Sequence, residues 1–294
     1  MDEGEDVPLS EGLNMLSRIR HRGPDQVGVY LDGEVSSAEK ISGLQLKRAK
    51  GNICLAQSRL EIVGGAEGVQ PIAGERLTLV HNGEIYNHRE LRKLLDGDFR
   101  SGSDSEVVLR VIEEYYDGDL LHAVKQAMPV LDGMYALAVT DGDSLVLARD
   151  PIGKKPLYYT DGIPFYFASE RKALVRKNGE IKRVLPGKLV LVTGDGVSVH
   201  DGYEVERPPI EINEMEEAIC AYEEVFDHAV DKRVRGLDRV GVLFSGGIDS
   251  VLVARALQLK GLRVTCYTVG AKGSGDVDMA IKAARELGLE INVE

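Results

Sequence analysis

The sequence predicts an α+β domain rich in antiparallel strands over its first two thirds, followed by the opening of a parallel α/β sheet. Three observations carry this. Short apolar runs punctuated by Gly, Asp and Pro recur from residue 27 to residue 203. The segment 204–213, EVERPPIEIN, then breaks the pattern, because Pro208 and Pro209 oppose helix formation. Beyond it, helical patterns alternate with apolar runs, as strands joined by crossover helices require.

Each element follows from its local pattern. Leu13, Leu16 and Ile19 form a helical stripe near the start. Strands are expected at 27–31, 53–57, 77–80, 135–140, 144–148, 165–168 and 188–193. Helices are expected at 88–95 and at 105–116, where Val107, Val108, Val111 and Ile112 share one face. After the Pro-bearing linker, Ala218, Ile219, Tyr222, Val225, Phe226 and Ala229 stand at helical spacing. Runs at 239–244, 262–269 and 290–293 then alternate with helices at 249–260 and 276–287. The expected domains are 1–204 and 205–294.

Composition bounds the function classes. The chain has 294 residues, with 43% hydrophobic and 29% charged, an ordinary globular balance. A length of roughly 100–200 residues per domain admits two domains. The formal net charge of −12 argues against a generally nucleic-acid-binding surface. No apolar run approaches the roughly 18 residues of a membrane helix. Residues 1–6 are acidic and lack an apolar core, so no secretory signal is expected. Cys54, Cys220 and Cys266 are widely spaced, which points to a reduced, cytoplasmic setting rather than a disulfide framework. A homo-oligomer is left open.

The sharpest local signal is VGVLFSGGIDS, 240–250. A buried-type strand ends at Phe244, and Ser245, Gly246 and Gly247 turn into a helix. Glycines let backbone N–H groups approach an anion, and the helix N-terminus adds its dipole. Ser245 and Ser250 add hydroxyls, and Asp249 is placed to help hold Mg²⁺ beside phosphates. A Walker loop is excluded, because G-x-x-x-x-G-K-[ST] is absent. The string resembles the SGGxDS loop of the ATP pyrophosphatases. That resemblance implies that ATP is the nucleotide and that Leu243 and Val269, at the first two strand ends, flank its adenine.

Upstream stand HRGPD (21–25), SRLEIV (58–63), HNGEIYN (81–87), SDSE (103–106), RDPIGKKPLYY (149–159) and FASERKAL (167–174). In this order they resemble a class II, N-terminal-nucleophile glutamine amidotransferase domain. Followed by SGGIDS, they resemble the glutamine-dependent asparagine synthetases. The resemblance covers nearly the whole chain. It implies an αββα sandwich, then an ATP-pyrophosphatase domain, with glutamine, aspartate and ATP as substrates.

The resemblance also assigns roles. Arg59 holds the α-carboxylate of glutamine with a two-pronged guanidinium contact. Leu60, Glu61, Ile62 and Val63 continue that wall. Asp104 pairs with the α-ammonium group, and Glu84 belongs to the same pocket. The side-chain N–H of Asn82 and the backbone N–H of Gly83 form the oxyanion hole. Taken alone, Asn82-Gly83 is also a hairpin-turn signal. Arg149, Asp150, Lys154 and Lys155 are expected to be turn and ion-pair scaffolding, and Ser169 and Glu170 structural. His21 and Arg22 divide evenly between ordering the nucleophile strand and a structural role.

The family's nucleophile is a cysteine directly after the initiator Met, with its free α-amine as general base. Here Asp2 follows Met1, and the first cysteine is Cys54, inside a strand-like run. The expectation is that the sequence begins just beyond the MCGI-type strand, and ends before a second SGxGxDE-type loop. Two other readings stand beside this one. A β-lactam-synthetase-like relative would dispense with the nucleophile, although the glutamine-binding set is intact here. A non-catalytic module would bind glutamine or another subunit.

Overall fold

The computed structural model describes residues 7–65, 67–206, 209, 211–271 and 273–294. The chain packs into two compact units that divide after residue 207.

The first unit is built on a six-stranded antiparallel sheet. Its order is Gly196–Asp201, Lys188–Thr193, Leu145–Arg149, Gly133–Thr140, Thr78–Ile85 and Ile72–Ala73. One face carries Leu79, Ile85, Leu137, Val139 and Val146, which pack on the helices Asp104–Glu114 and Leu120–Ala127. Val107, Val108, Val111 and Ile112 are each at most 3% exposed. Burying each of these side chains is worth about 1.5–3 kcal/mol, which is what holds the helix to the sheet. Ser103 and Asp119 cap the two helices.

The other face of the sheet carries Val80, Ala136, Ala138, Leu147 and Val190, packed against Tyr30, Leu55, Leu157 and Tyr159. These partners come from two three-stranded sheets. One is ordered Glu34–Ala38, Gln26–Leu31, Cys54–Arg59, and the other Phe167–Ala168, Tyr158–Thr160, Ile181–Arg183. The helix Leu9–Ile19 closes the far side, with Met15 and Ile19 on Tyr166, Ala168 and Leu174. Helix, sheet, sheet, helix is the αββα order expected.

The second unit has a three-stranded parallel sheet, Arg239–Leu243, Arg263–Thr268 and Glu290–Val293. The helices Met215–Val234, Ile248–Leu259 and Gly275–Leu287 accompany it. Val242, Phe244, Ala254, Cys266, Ala280 and Ala284 form its core.

Two expectations need correction. Asn82 and Gly83 lie inside the Thr78–Ile85 strand, paired with Ala136 and Tyr135, so they are not a hairpin turn. The long run of the Gly133–Thr140 partner extends the ladder through a local turn signal. The helix Leu120–Ala127 and the strands Glu34–Ala38, Tyr158–Thr160, Ile181–Arg183 and Gly196–Asp201 were not expected.

Candidate active site

Strand alternation places the side chains. On Thr78–Ile85, Leu79 and Ile85 face the helices, while Val80 faces the opposing sheet. Asn82 and Glu84 share the face of Val80, and His81 shares that of Leu79. On Cys54–Arg59, Leu55 points between the sheets, and Gln57 and Arg59 share its face. Residues of both sheets therefore meet across a cavity of about 970 Å³, lined among others by Arg59, Asn82, Gly83, Glu84 and Asp104.

Arg59 is 6% exposed. Its Nη1 donates to Gln26 Oε1 at 2.9 Å, and its Nη2 to Val63 O at 3.2 Å and Gly65 O at 2.7 Å. The guanidinium is thus held by the loop that follows it. Leu60, Ile62 and Val63 line the cavity. Glu61 turns outward: its N–H donates to Asp25 Oδ2 at 2.7 Å, and its carboxylate lies 3.8 Å from Arg59. The loop closes on the Asp104 helix through Gly64, where a Cβ would stand 2.6 Å from Ser103 Cα.

Asp104 opens its helix at the positive end of the dipole. One carboxylate oxygen accepts from Ile85 N–H at 2.9 Å. Burial, together with the Asp104 carboxylate, pushes Glu84 up to about 7, and the Lys155 ammonium pulls the other way.

Among the described residues, Asn82 Nδ2 is a buried donor without an acceptor. Its strand is locked from behind. His81 N–H donates to Gln70 Oε1 at 2.6 Å, and His81 O accepts from Gln70 Nε2 at 3.1 Å and Gln57 Nε2 at 3.0 Å. His81 Nδ1 meets Ser105 Oγ at 2.9 Å, and burial keeps the ring neutral. Gln57 Oε1 and Ser58 Oγ, on the Cys54–Arg59 strand, are also buried without partners. Sequence reasoning missed Gln57, Gln70 and Ser105, because polar residues at strand ends and helix starts carry no local signature of burial.

Cys54 also lines the cavity, yet burial and Asp32 push its thiol up to about 11, so it stays protonated at neutral pH. His21, Arg22 and Lys172 converge on Glu170, at 3.0, 3.2 and 2.9 Å. Arg149 and Asp150 are fully buried and bind the backbone of the following turn, and Arg149 also that of Val184. They are scaffolding, as expected. Lys155 belongs to the same turn and also lines the cavity, where its ammonium pulls the Glu84 carboxyl down.

In the second unit the Arg239–Leu243 strand leads into Ser245, Gly246 and Gly247, and the helix starts at Ile248. Gly247 N–H donates to Ser245 Oγ at 3.3 Å, Ser250 Oγ to Gly247 O at 2.9 Å, and the two hydroxyls lie 3.3 Å apart. Thr268 Oγ1 donates to Phe244 O and ties the first two strand ends together. Leu243 and Val269, 86% and 79% exposed, stand at those ends rather than in the core. Asp249 is exposed, and no group of three acidic, His or Cys side chains that could hold a metal ion occurs among the described residues.

Two facing sheets between helical layers, with polar side chains gathered at the strand ends, define the first unit as an N-terminal-nucleophile-type amidotransferase sandwich. The chain belongs to the glutamine amidotransferase domain family, whose family model matches residues 5–192. A second family model, described as asparagine synthase, matches residues 221–294. The putative asparagine synthetase [glutamine-hydrolyzing] 1 of Methanocaldococcus jannaschii is 37% identical, over 97% of this chain and 55% of its own length. The asparagine synthetase [glutamine-hydrolyzing] of Sandersonia aurantiaca is 34% identical, over 94% of this chain and 50% of its own. The chain thus spans about half the length of the curated relatives it matches. Among solved structures, glutamine phosphoribosylpyrophosphate amidotransferase from B. subtilis superposes with a TM-score of 0.59 at 22% identity, over 99% of this chain and 64% of that one. That likeness is one of fold. No helix among the described residues is long and apolar enough to cross a membrane.

Proposed function

We propose that the chain is part of a cytoplasmic glutamine-hydrolysing asparagine synthase. The observation that carries this is Asn82 Nδ2, a buried donor without an acceptor, in a cavity that also presents Arg59 and Asp104. A buried unmet donor costs about 1–3 kcal/mol, a cost that an arriving oxyanion would offset.

Glutamine is held at both charged ends. The N–H groups of Arg59 that remain free take the α-carboxylate, and the second oxygen of Asp104 takes the α-ammonium group. Attack by a thiolate on the side-chain amide places negative charge on the carbonyl oxygen. Asn82 Nδ2 and Gly83 N–H stabilise that charge as the tetrahedral intermediate forms. Ammonia leaves, and water then cleaves the thioester to glutamate.

The thiolate comes, on this reading, from a cysteine-bearing strand of the family's MCGI type. Among the described residues, the Cys54–Arg59 strand is paired on one edge, with Gln26–Leu31, and Phe167–Ala168 is likewise an edge. Both line the cavity, and Gln57 Oε1 and Ser58 Oγ stand there without partners. An unpaired edge is a template for one more strand.

In the second unit the Ser245–Ser250 loop takes the phosphates of ATP. The exposed faces of Leu243 and Val269 flank the adenine. Asp249 offers Mg²⁺ one carboxylate, which suffices where phosphates and water supply the other ligands. The β-carboxylate of aspartate attacks the α-phosphorus of ATP to give an adenylate with release of pyrophosphate, and ammonia then displaces AMP to give asparagine.

The test is ammonia release from glutamine by the chain with a Met-Cys-Gly-Ile strand placed ahead of it. Release that vanishes when that cysteine becomes alanine is expected. A folded protein that releases none, with or without the strand, overturns the proposal.

A further inference from the structure

His81 and Gly83 stand two residues apart on the Thr78–Ile85 strand, so they share a face. The space beside Gly83 on that face is taken by the His81 ring. A Cβ built on Gly83 would stand 2.5 Å from His81 Nε2 and 2.8 Å from Tyr135 Cα, and would overlap Met134 O. Of these three neighbours only the ring is a side chain. His81 is 2% exposed, and its Nδ1 meets Ser105 Oγ at 2.9 Å. Ser105 Oγ also accepts from Gln70 Nε2 at 3.0 Å, and Ser105 N–H donates to Ser103 Oγ at 3.2 Å. Among the described residues His81 Nε2 is buried without a partner. An unmet buried nitrogen is unfavourable, and an apolar side chain would fill the same space without it. The imidazole is therefore explained by its other nitrogen, which ties the ring to Ser105.

The N–H of Gly83 is the middle one of three on the outer side of its strand. Residues of an antiparallel ladder alternate between bonding to the partner strand and pointing away from it. Tyr86 N–H donates to Asp132 O at 2.8 Å, so 85, 83 and 81 are the positions that point away. Tyr135, opposite Gly83, accordingly turns its own N–H and C=O to Asp150. Gln70 Oε1 accepts from His81 N–H at 2.6 Å, and Asp104 Oδ2 from Ile85 N–H at 2.9 Å. Gly83 N–H stands between these two capped groups, at the cavity wall that also presents Asn82. A glycine has more backbone freedom than any other residue, whereas a donor for an oxyanion has to be aimed before the charge develops.

We propose that His81, locked by Ser105, is a positioning residue of the oxyanion site: its ring takes from Gly83 the freedom of a glycine and holds the Gly83 N–H aimed at the cavity before a substrate arrives. This rests on the oxyanion role proposed above for Gly83. It gives the His-x-Gly spacing a physical cause. Ring and glycine lie on one face of a strand only when they are two apart, and the second must be Gly because the ring stands where a Cβ would be. Ser105 follows Asp104 directly, so the same tie sets the helix start against the strand. The carboxylate proposed for the α-ammonium group and the donor proposed for the oxyanion then share one hydrogen-bonded frame.

Three variants of the full chain separate the parts. His81→Asn keeps a polar atom at the place of Nδ1 and empties the space beside Gly83. His81→Phe keeps a flat ring there and gives up the bond to Ser105. Ser105→Ala removes only the tether. By NMR relaxation the order parameter of the Gly83 amide is expected at about 0.85 in the unsubstituted chain and in His81→Phe, below about 0.6 in His81→Asn, and between the two in Ser105→Ala. The urea midpoint is expected to fall in both His81 variants, through a cavity in one and an unmatched hydroxyl in the other. Loss of order confined to the Asn variant is then not a by-product of lost stability. With a Met-Cys-Gly-Ile strand placed ahead of the chain, His81→Asn is expected to lower kcat about tenfold with KM changed less than about twofold, and His81→Phe to keep kcat within about threefold. A Gly83 amide as ordered in His81→Asn and Ser105→Ala as in the unsubstituted chain overturns the proposal, and so does an equal loss of kcat in the Asn and Phe variants. If the extended parent turns over no glutamine while the order parameters still divide, the oxyanion reading fails and the catalytic role of His81 with it. That failure is told apart from failure of the ring to hold Gly83, which the order parameters report without any substrate.

Discussion

Gln70 grips the backbone of His81 at both polar atoms: His81 N–H donates to Gln70 Oε1 at 2.6 Å, and Gln70 Nε2 donates to His81 O at 3.1 Å. The side-chain amide does the work of one residue of a neighbouring strand. It does so where the short Ile72–Ala73 strand, paired only with Leu79 and Thr78, has already ended. Asn82 is the next residue, so the direction of its amide depends on this clamp.

Replacing Gln70 by Met, close in shape, leaves the buried His81 N–H without an acceptor. The expected cost is about 1–3 kcal/mol, read as a lower midpoint in urea with an unchanged slope. In the chain with a Met-Cys-Gly-Ile strand placed ahead of it, turnover should fall further than affinity for glutamine does. An unchanged ratio of kcat to that of the parent would show that the clamp does not orient Asn82.

Asn82→Ala and Arg59→Ala should fail in different ways in that extended chain. In the proposed oxyanion role Asn82 would meet charge that exists only in the transition state, so kcat is expected to drop about 10²–10³-fold. In its proposed carboxylate-binding role Arg59 would hold ground state and transition state alike, so KM should rise with kcat largely kept. Arg59 also ties Val63 O and Gly65 O, so some loss of thermal stability accompanies that variant alone.

How much of this was legible in the sequence follows from the length of each signal. The Lys188–Thr193 strand and the Asp104–Glu114 helix stand close to their expected bounds, because each buries a long apolar face. The Tyr158–Thr160 and Ile181–Arg183 strands are three residues each, too short for alternation to register. HNG read locally as a turn as well as a motif, and only its pairing with Tyr135, Ala136 and Leu137, far along the chain, makes it a strand. Lys154 and Lys155 are indistinguishable in sequence. What separates them is which way the buried Arg149 and Asp150 aim the turn.

Glu84 gives the fold a pH dependence of its own. Its carboxyl is pushed up to about 7 in the folded state, chiefly by burial, against an ordinary value near 4.5. The folded state therefore binds more protons than the unfolded one between about pH 4.5 and 7. The contribution to stability is present at the acid end and is lost as pH rises through that window. Glu84→Gln should flatten the fall. Because the group is partly open to water, the gain at pH 8 is expected to be about 1–2 kcal/mol. Urea midpoints at pH 5 and pH 8 measure it, and a gain equal at both values would mean that Glu84 is not the source.

At the Ser245–Ser250 loop, proposed to take the phosphates of ATP, Gly246 and Gly247 respond differently to substitution. Gly246 has φ +73°, and a Cβ there would stand 2.8 Å from the backbone N and Cα of Ala280. Any side chain at 246 thus pushes the Gly275–Leu287 helix off its strand, and loss of binding would report unfolding rather than a lost anion site. Gly247 is different: its Cβ would meet only Ser245 Oγ, at 3.3 Å, the end of a side chain that can rotate away. Titration of the full chain with magnesium pyrophosphate is expected to show weak binding. Gly247→Val should abolish it with the circular dichroism spectrum intact, because the branched side chain fills the approach to the helix N-terminus. Ser245→Ala and Ser250→Ala should each weaken it several-fold, by about 0.5–1.5 kcal/mol for one hydrogen bond. Asp249→Asn should remove the dependence on magnesium while leaving affinity for pyrophosphate alone unchanged. Binding that survives Gly247→Val at full strength would place the anion elsewhere in the molecule.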